Sequence, residues 1–169
     1  GNLLQNSNFD AAGNWVLGST GVGIYNGVLT NTTGGLAYQL LSSALEADAT
    51  YTVYLEYSNY VSGGLRLLNG DYTTFGKNRV FNFNLSGGFV FGTFTSGTYL
   101  PGTNIPGAAF TPTRYFTLDS TGGIFNGSID NIFLVKGTAY LGVTVDLSAG
   151  TSGTVSGGDA GVCTFGALA

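Results

Sequence analysis

The sequence predicts an all-β fold, an antiparallel β-sandwich of the jelly-roll kind with a Gly/Ser-rich C-terminal extension. Three observations predict it: Asn-Gly pairs between apolar arms, segments in which apolar and polar residues alternate, and the absence of any long helical periodicity. Asn-Gly favours the type I′ turn of a tight hairpin, because both central residues of that turn need positive φ. Alternation with a period of two is typical of a strand that buries one face.

Three Asn-Gly pairs, at residues 24–29, 65–75 and 124–129, predict three hairpins. The short apolar stretch at residues 40–48 is expected to form a loop with at most one turn. The segment 50–60 alternates most clearly and predicts a strand. Its expected core face consists of Tyr51, Val53, Leu55 and Tyr57.

Two further segments, residues 79–85 and 114–120, also alternate and predict strands. In the first of them we expect Phe81, Phe83 and Leu85 to share one face, opposite Val80. A Pro- and Gly-rich loop lies between the two segments. Many short strands separated by Gly-rich turns are typical of a sandwich.

The composition changes after Lys136, and this predicts two parts, a sandwich over residues 1–136 and an extension over residues 137–169. Residues 137–147 can still form a strand. The sequence from Ser148 onward is rich in Gly, Ser, Ala and Thr. It is either a flexible tail or linker, or an arm that becomes ordered on a neighbouring subunit.

The low charge indicates a protein that works in an assembly or outside a cell. Charged residues make up 8% of the chain, against about 25% in an average globular protein. The five basic residues form no cluster, and the net charge is −4, so we expect no nucleic-acid partner. No run of 18 apolar residues occurs, so no membrane span is predicted.

The residue types argue against catalysis. The chain has no histidine and one cysteine, which removes the common Ser-His, Cys-His and zinc arrangements. The Gly-rich segment GTSGTVSGG lacks the Lys-Ser/Thr ending of a phosphate-binding loop. We therefore expect no enzyme activity.

Three segments resemble the carbohydrate-binding modules of the family 4/9 type, which are jelly rolls. NLLQNSNFDAAGNW (2–15) resembles their opening block, ADATYTVYLEYSN (47–59) their Tyr-Thr-Val strand, and GSIDNIFLV (127–135) their closing Ile-Asp-Asn strand. The phrase YFTLDSTGGIFNGSIDNIFLV is similar to versions found in bacteriophage structural proteins, such as tail fibres and head-decoration proteins.

The resemblance implies a structural calcium ion where the first and last strands meet. Carried over to this chain, the ligands would be Asp10 and Asp130, with Glu46 or Asp48 as a third acid and carbonyls from the loop before residue 50. Asp10 departs from the family, which usually has the longer Glu there. Alternatively, Asp10 caps a turn and Asp130 accepts backbone N–H groups.

A sugar-binding face is the other candidate site. Aromatic rings beside polar groups are typical of sugar sites. If the odd-numbered residues of the segment 50–60 face the core, its even-numbered ones face outward, next to neighbouring strands. The candidate ligand-binding residues are Tyr54, Glu56, Arg66, Tyr72 and Asn82. Alternatively, they cover a polar outer sheet or an interface with another subunit, and Trp15, the single tryptophan, is expected to be a packing residue.

The composition and the resemblance together predict three alternative functions. The first is a non-enzymatic structural protein of a virion surface, of the capsid decoration (cement) or fibre type. It would assemble with capsid or other virion proteins and with its own copies, and could also adhere to glycans. The alternative is a carbohydrate-binding module of a secreted enzyme or adhesin, which would bind polysaccharide. The third is a subunit of an extracellular filament or surface layer.

Overall fold

The fold is all-β, antiparallel and sandwich-like, which confirms the predicted class. A computed structural model describes residues 2–11, 13–19, 21–31, 36–73, 75–100, 109–141, 145–146, 154–155 and 162–165. Among these residues, no helix is long and apolar enough to cross a membrane. A 3-10 helical turn covers Phe75–Asn78. The strands of the described ranges are β1 (Val16–Leu17), β2 (Val22–Tyr25), β3 (Val28–Asn31), β4 (Ala37–Leu40), β5 (Thr50–Leu68), β6 (Arg79–Phe83), β7 (Phe89–Thr95), β8 (Tyr115–Lys136), β9 (Thr138–Leu141), β10 (Val145–Asp146), β11 (Thr154–Val155) and β12 (Val162–Phe165).

Two long strands, β5 and β8, organise the main sheet. They pair antiparallel from Tyr51 opposite Lys136 to Leu68 opposite Thr117. The first half of β5 also pairs with β7, and its second half pairs with β6. On the other side, β8 pairs with β4 near its start and with β3 near its middle, while β1 and β2 extend the sheet beyond these two.

Both long strands bend at the same level of the ladder. The register of β5 against β8 shifts between Ser58 and Gly64. Positive φ occurs there at Asn59 and Gly63 on β5 and at Gly122 and Gly123 on β8. We call residues 59–63 and 121–125 the apex. The apex divides the sheet into two layers. The first layer contains β7 and the first half of β5. The second layer contains β4, β6 and the second half of β5.

One core lies between the two layers. It includes Val53 and Leu55 from the first layer and Leu65 and Leu67 from the second. Tyr51 and Tyr57 also belong to this core, so the predicted inner face of the segment 50–60 is confirmed. Burial at this scale is the main stabilising term of such a fold.

Trp15 is a packing residue, as predicted. Its side chain is buried, and its ring lies 5.3 Å from that of Phe9 and 6.2 Å from that of Phe116. The indole Nε1 donates a hydrogen bond of 3.0 Å to the Asn6 carbonyl. The opening segment also runs beside the end of β8, because Leu3 N donates to Leu134 O at 2.8 Å.

One of the three predicted Asn-Gly hairpins is confirmed. Asn26 and Gly27 have φ of 51° and 77° and join β2 to β3, as a type I′ turn requires. At Asn69-Gly70 the prediction of a tight turn is wrong. β5 and β6 do pair there, but residues 69–78 connect them through the 3-10 turn.

The prediction of a hairpin at Asn126-Gly127 is also wrong, because both residues lie inside β8. Asn126 pairs with Ser62 and Gly127 with Asn31, so the backbone is held in a ladder on both sides. Gly127 also lies close to a side chain, since a Cβ there would lie 3.0 Å from the Phe125 ring. The bend is made instead at Gly122 and Gly123.

The remaining elements follow the sequence with two corrections. Residues 41–49 contain no helix, as expected, and residues 101–108 of the predicted Pro/Gly loop lie outside the described residues. Strand β8 begins where predicted but continues to Lys136. In β6, Val80 and Phe83 both reach the core, so the predicted separation of these two side chains is wrong. The physical reason is a register shift between Leu67 and Leu68.

The strands after Lys136 lie outside the main sheet. β9 pairs in parallel with β12, and β10 pairs antiparallel with β11. Gly137 closes the main ladder, since its N–H donates to the Thr50 carbonyl at 2.7 Å. The alternatives of a flexible linker and an arm on a neighbouring subunit stay predictions.

Candidate functional site

Three tyrosines cluster on the outer face of the second layer. Tyr38 and Tyr115 point outward because their neighbours Ala37 and Phe116 point into the core. The Tyr38 ring centroid lies 5.4 Å from that of Tyr115 and 6.3 Å from that of Tyr72. All three side chains are half-buried. We call this group the tyrosine cluster.

A charged group adjoins the tyrosine cluster. Asp119 Oδ2 accepts hydrogen bonds from Arg66 Nε at 2.9 Å and Arg66 Nη2 at 2.7 Å. Lys77 Nζ lies 3.7 Å from the same oxygen. The Arg66 and Asp119 side chains are only 15% and 10% exposed, so this ion pair is largely screened from water. Two cations, Arg66 and Lys77, share one carboxylate, so the three side chains together carry a positive charge beside the tyrosine cluster.

The hydroxyl of Tyr72 is part of the same environment. It donates a hydrogen bond of 2.9 Å to the Leu118 carbonyl. Burial raises the pKa of the Tyr72 phenol above its ordinary value, and the Asp119 carboxylate and Tyr38 raise it further. The phenol therefore stays protonated and donating at any physiological pH.

The five predicted ligand-binding residues fall into two groups on different layers. Arg66 pairs with Asn82 across β5 and β6, and Asn82 is exposed; Tyr72 lies near them. Tyr54 and Glu56 lie on the first half of β5, in the first layer. The structure does not gather all five residues into one groove.

Tyr54 lies on the predicted outer side of β5 but is only 8% exposed. Its ring stacks on that of Phe89 at 6.1 Å, and its hydroxyl donates to Glu56 Oε1 at 2.8 Å. Burial, followed by the hydrogen bond to Glu56, raises the pKa of the Tyr54 phenol. Glu56 Oε2 also accepts a hydrogen bond of 2.9 Å from Asn131 Nδ2. These groups partner one another on the face of the first layer.

Asp130 occupies a β-bulge in β8. Glu56 pairs with Asn131 and Tyr57 pairs with Ile129, so Asp130 has no residue opposite it. Its partner is Ser58, whose hydroxyl donates to Asp130 Oδ1 at 3.2 Å. Burial raises the pKa of the Asp130 carboxyl above its ordinary value of 3.8, and the Ser58 hydrogen bond offsets part of this rise.

Asp10 lies near the turn between β2 and β3. Its Oδ1 is 3.5 Å from the position that a Gly27 Cβ would occupy, and its Oδ2 accepts a hydrogen bond of 2.8 Å from Asn8 Nδ2. Leu29, two residues after Gly27, pairs with Ile129. Asp10 therefore lies near the β2–β3 hairpin, and Asp130 lies on the part of β8 that pairs with this hairpin.

The other two candidate metal ligands lie elsewhere. Glu46 and Asp48 precede β5, whereas Asp130 is bonded to Ser58 near the apex. At about 3.3 Å per residue, about 25 Å of strand separates the two places. The carboxylate of Glu46 forms an ion pair with Lys136 instead, which raises the pKa of the Lys136 ammonium.

The donor set fits calcium in part. Carboxylate oxygens suit a hard cation, but in the described ranges no three His, Cys, Asp or Glu side chains come together as a metal site. Calcium held by Asp10 and Asp130 stays a prediction. The structure does not bring Glu46, Asp48 or the loop before residue 50 to that place.

Replacing Asp130 by asparagine is expected to stabilise the protein slightly at neutral pH. Asparagine can still accept the Ser58 hydrogen bond, while the partly desolvated charge is removed. Because the pKa of the Asp130 carboxyl is raised in the folded state, this carboxyl binds its proton more tightly in the native protein than in the unfolded chain. Wild-type stability therefore falls as the pH rises from 3.8 through the folded-state pKa, and the variant avoids this loss.

The melting temperature in chelator measures this effect. A rise of about 1–3 °C at pH 7, shrinking toward zero near pH 3, is expected for a gain below about 1 kcal/mol. Ser58→Ala is the control, because it removes the hydrogen bond but keeps the charge. If the variant is instead less stable only when calcium is present, Asp130 is a calcium ligand.

A groove between β6 and β7 is a feature that sequence reasoning missed. It has a volume of about 460 Å³, and its lining includes Val80, Asn82, Thr95 and Tyr99. None of the side chains found in its lining is charged. Only the pairing of both strands with β5 brings these segments together, so no local signal marks the groove.

No protein-family model matches the chain, and no curated protein sequence matches it either.

Proposed function

We propose that this chain is a non-enzymatic structural protein that acts through protein–protein assembly on a virion surface, as a capsid decoration or fibre-type subunit. Its partners would be other virion proteins and further copies of itself. The virion placement rests on the resemblance of the closing block to phage structural modules. The assembly function rests on the surface of the molecule.

The observation that carries the proposal is the number of large apolar side chains left in water. Among the described residues, nine are between 38% and 69% exposed: Leu3, Val16, Leu17, Tyr25, Leu40, Tyr60, Val61, Phe89 and Ile124. Scattered apolar residues are ordinary. Here they occur on a chain with only 8% charged residues, so few charges oppose association.

The test is the mass of the full chain by light scattering at increasing protein concentration, with and without calcium chelator. A trimer or larger particle is expected, because assembly would cover these side chains. A monomer at every concentration, and in both buffers, would refute the self-assembly part of the proposal. Loss of the particle only in chelator would link calcium to assembly.

A carbohydrate-binding module is the second candidate function, and the tyrosine cluster favours it. Tyrosine rings can stack on the C–H faces of sugars, and Arg66, Asp119 and Asn82 place polar groups beside them. A polysaccharide is the ligand expected here. Uncharged, polyhydroxylated ligands are bound by this combination of rings and hydrogen-bonding groups.

Titration of cell-wall polysaccharides, followed by tyrosine fluorescence, tests the second candidate. Tyr72→Phe should weaken binding little, since its hydroxyl is bonded to Leu118, whereas Tyr38→Ala should weaken it at least about tenfold by removing a half-exposed ring. Tyr25→Ala is the matched control, because Tyr25 is exposed but lies outside the cluster. An unchanged signal for all polysaccharides would exclude this function for the ligands tested.

A further inference from the structure

A second group of buried apolar side chains lies outside the core, on the outer face of the first layer. Tyr54, Phe133 and Val135 are 8%, 0% and 1% exposed, but they do not belong to the core between the two layers. Each follows a core residue in its strand, Val53 in β5 or Ile132 and Leu134 in β8, so its side chain points to the other side of the sheet. Side chains that are buried on this outer side have a cover other than the core.

Strand pairing gathers these side chains into one patch. Tyr54 lies opposite Phe133 of β8 and Phe91 of β7, and Thr52 lies opposite Val135. Residues that pair directly across two strands project to the same side of a sheet. We call Thr52, Tyr54, Phe91, Phe133 and Val135 the outer patch. None of the five is charged at neutral pH and three are aromatic, so covering the patch removes apolar surface from water.

The chain turns toward the outer patch directly after β8. The Gly137 N–H donates to the Thr50 carbonyl at 2.7 Å, and the Gly137 carbonyl accepts a hydrogen bond of 2.7 Å from the Thr52 hydroxyl. Gly137 has a φ of 101°, a conformation that favours glycine because this residue has no Cβ. Since the Thr52 hydroxyl belongs to the outer patch, the chain leaves the ladder on the side of the patch.

The strands of the C-terminal extension begin at this turn. β9 (Thr138–Leu141) follows Gly137 directly and lies next to β5. β12 (Val162–Phe165) pairs in parallel with β9, so this late part of the extension returns to the place where the extension begins. Neither TAYL of β9 nor VCTF of β12 contains a charged residue. Such segments can cover an apolar patch without burying an unpaired charge.

We propose that the outer patch is a docking surface and that its occupant is the C-terminal extension of the same chain, residues 138–169. The extension then acts as a strap, and not as a free linker or as an arm on a neighbouring subunit. This docking goes beyond the proposed assembly function and does not depend on it. It also bears on the candidate sugar-binding residues, because Tyr54 is closed to a polysaccharide as long as the strap covers it.

A nitroxide spin label on the full chain tests where the extension lies. Cys163 is the single cysteine of the chain and belongs to β12, so it takes the label without further mutation. The amide NMR signals of Tyr54 and Phe133 are expected to lose most of their intensity. Those of Tyr38 and Tyr115, in the tyrosine cluster of the second layer, are expected to keep most of theirs. The same sample with the nitroxide reduced is the reference.

A mixed sample decides whether the extension docks on its own chain. It contains equal amounts of spin-labelled chain without isotope and of isotope-labelled chain with Cys163→Ser, which carries no spin label. The outer-patch signals of this mixture are expected to stay intact. A clear loss of these signals in the mixture would mean that the extension docks on a second copy. No loss in either sample would mean that the extension lies elsewhere, and both results overturn the proposal.

Phe91→Lys tests the apolar character of the outer patch, because it places a charge at a half-buried position. In the spin-labelled variant, the outer-patch signals are expected to regain intensity as the extension is released. Leu40→Lys is the matched control, because Leu40 is exposed on β4, outside the patch. A signal loss as strong in Phe91→Lys as in the wild type would overturn docking on the outer patch.

Melting curves establish that each of these proteins folds. If Phe91→Lys does not fold, Phe91→Ser replaces it. If the spin label at Cys163 itself lowers the melting temperature, the label is moved to Ala167→Cys in a chain with Cys163→Ser, and the same losses are expected.

Discussion

Replacing Gly63 by alanine is expected to lower the free energy of unfolding by about 3 kcal/mol or more. Gly63 has a φ of +85°, which alone costs an alanine about 1 kcal/mol. The larger cause is steric, because the new Cβ would lie 2.0 Å from the Ile124 carbonyl oxygen and 2.3 Å from its carbon. These are backbone atoms, so the two strands would have to separate at the apex.

Gly87→Ala is the matched control for this prediction. Gly87 has a φ of +78°, and a Cβ on it would meet nothing within 4 Å. It should therefore lose only the conformational contribution of about 1 kcal/mol. Urea unfolding with equal slopes for both variants measures the difference. Equal losses at the two positions would show that the close approach at the apex does not hold in solution.

The second large effect is expected at the Arg66–Asp119 pair. Asp119→Ala should lower the free energy of unfolding by about 2–4 kcal/mol, because it leaves the guanidinium of Arg66 largely buried without its acceptor. The side chains are 15% and 10% exposed, so water can replace the lost contact only in part. Chemical denaturation at pH 7 is the measurement.

Two controls separate the burial of this pair from its charge. The double variant Arg66→Met/Asp119→Leu should recover most of the loss, because no buried charge is left unpaired. Glu46→Gln, which breaks the exposed pair with Lys136, should change stability little. A double variant as unstable as Asp119→Ala would mean that the two residues stabilise the fold through separate contacts.

The sequence predicts the fold class and the local chemistry better than the path of the chain. Alternation in the segment 50–60 identifies the core face correctly, because one side of that strand faces the core along its first half. Asn26-Gly27 identifies its hairpin correctly, because none of the described strands pairs with these two turn residues. Both features are local, because residues that are adjacent in the sequence determine the conformation in each case.

The predictions are wrong where contacts with residues far away in the sequence determine the local conformation. Asn126-Gly127 carries the same turn signal as Asn26-Gly27, but pairing with Ser62 and Asn31 holds it extended. Val80 joins the core because it is an additional residue in β6 at the register shift against Leu67 and Leu68 of β5. The five candidate binding residues separate because β5 bends partway along its length. Likewise, the carboxylate of residue 46 pairs with the ammonium of residue 136, which no spacing in the sequence predicts.

The threading of β5 and β8 through both layers has a consequence for how the chain acquires its structure. Thr52 donates to the carbonyl of Gly137 across 85 positions, and neither layer is complete without β8. Pairing of strands that are distant in the sequence closes long loops, and the chain loses this entropy before the new contacts stabilise it. Folding should therefore be slow for a domain of this size. A nascent chain cannot complete the sheet until residue 136 has left the ribosome. Until then its apolar strand edges are exposed, and this interval is when the chain is most prone to aggregate.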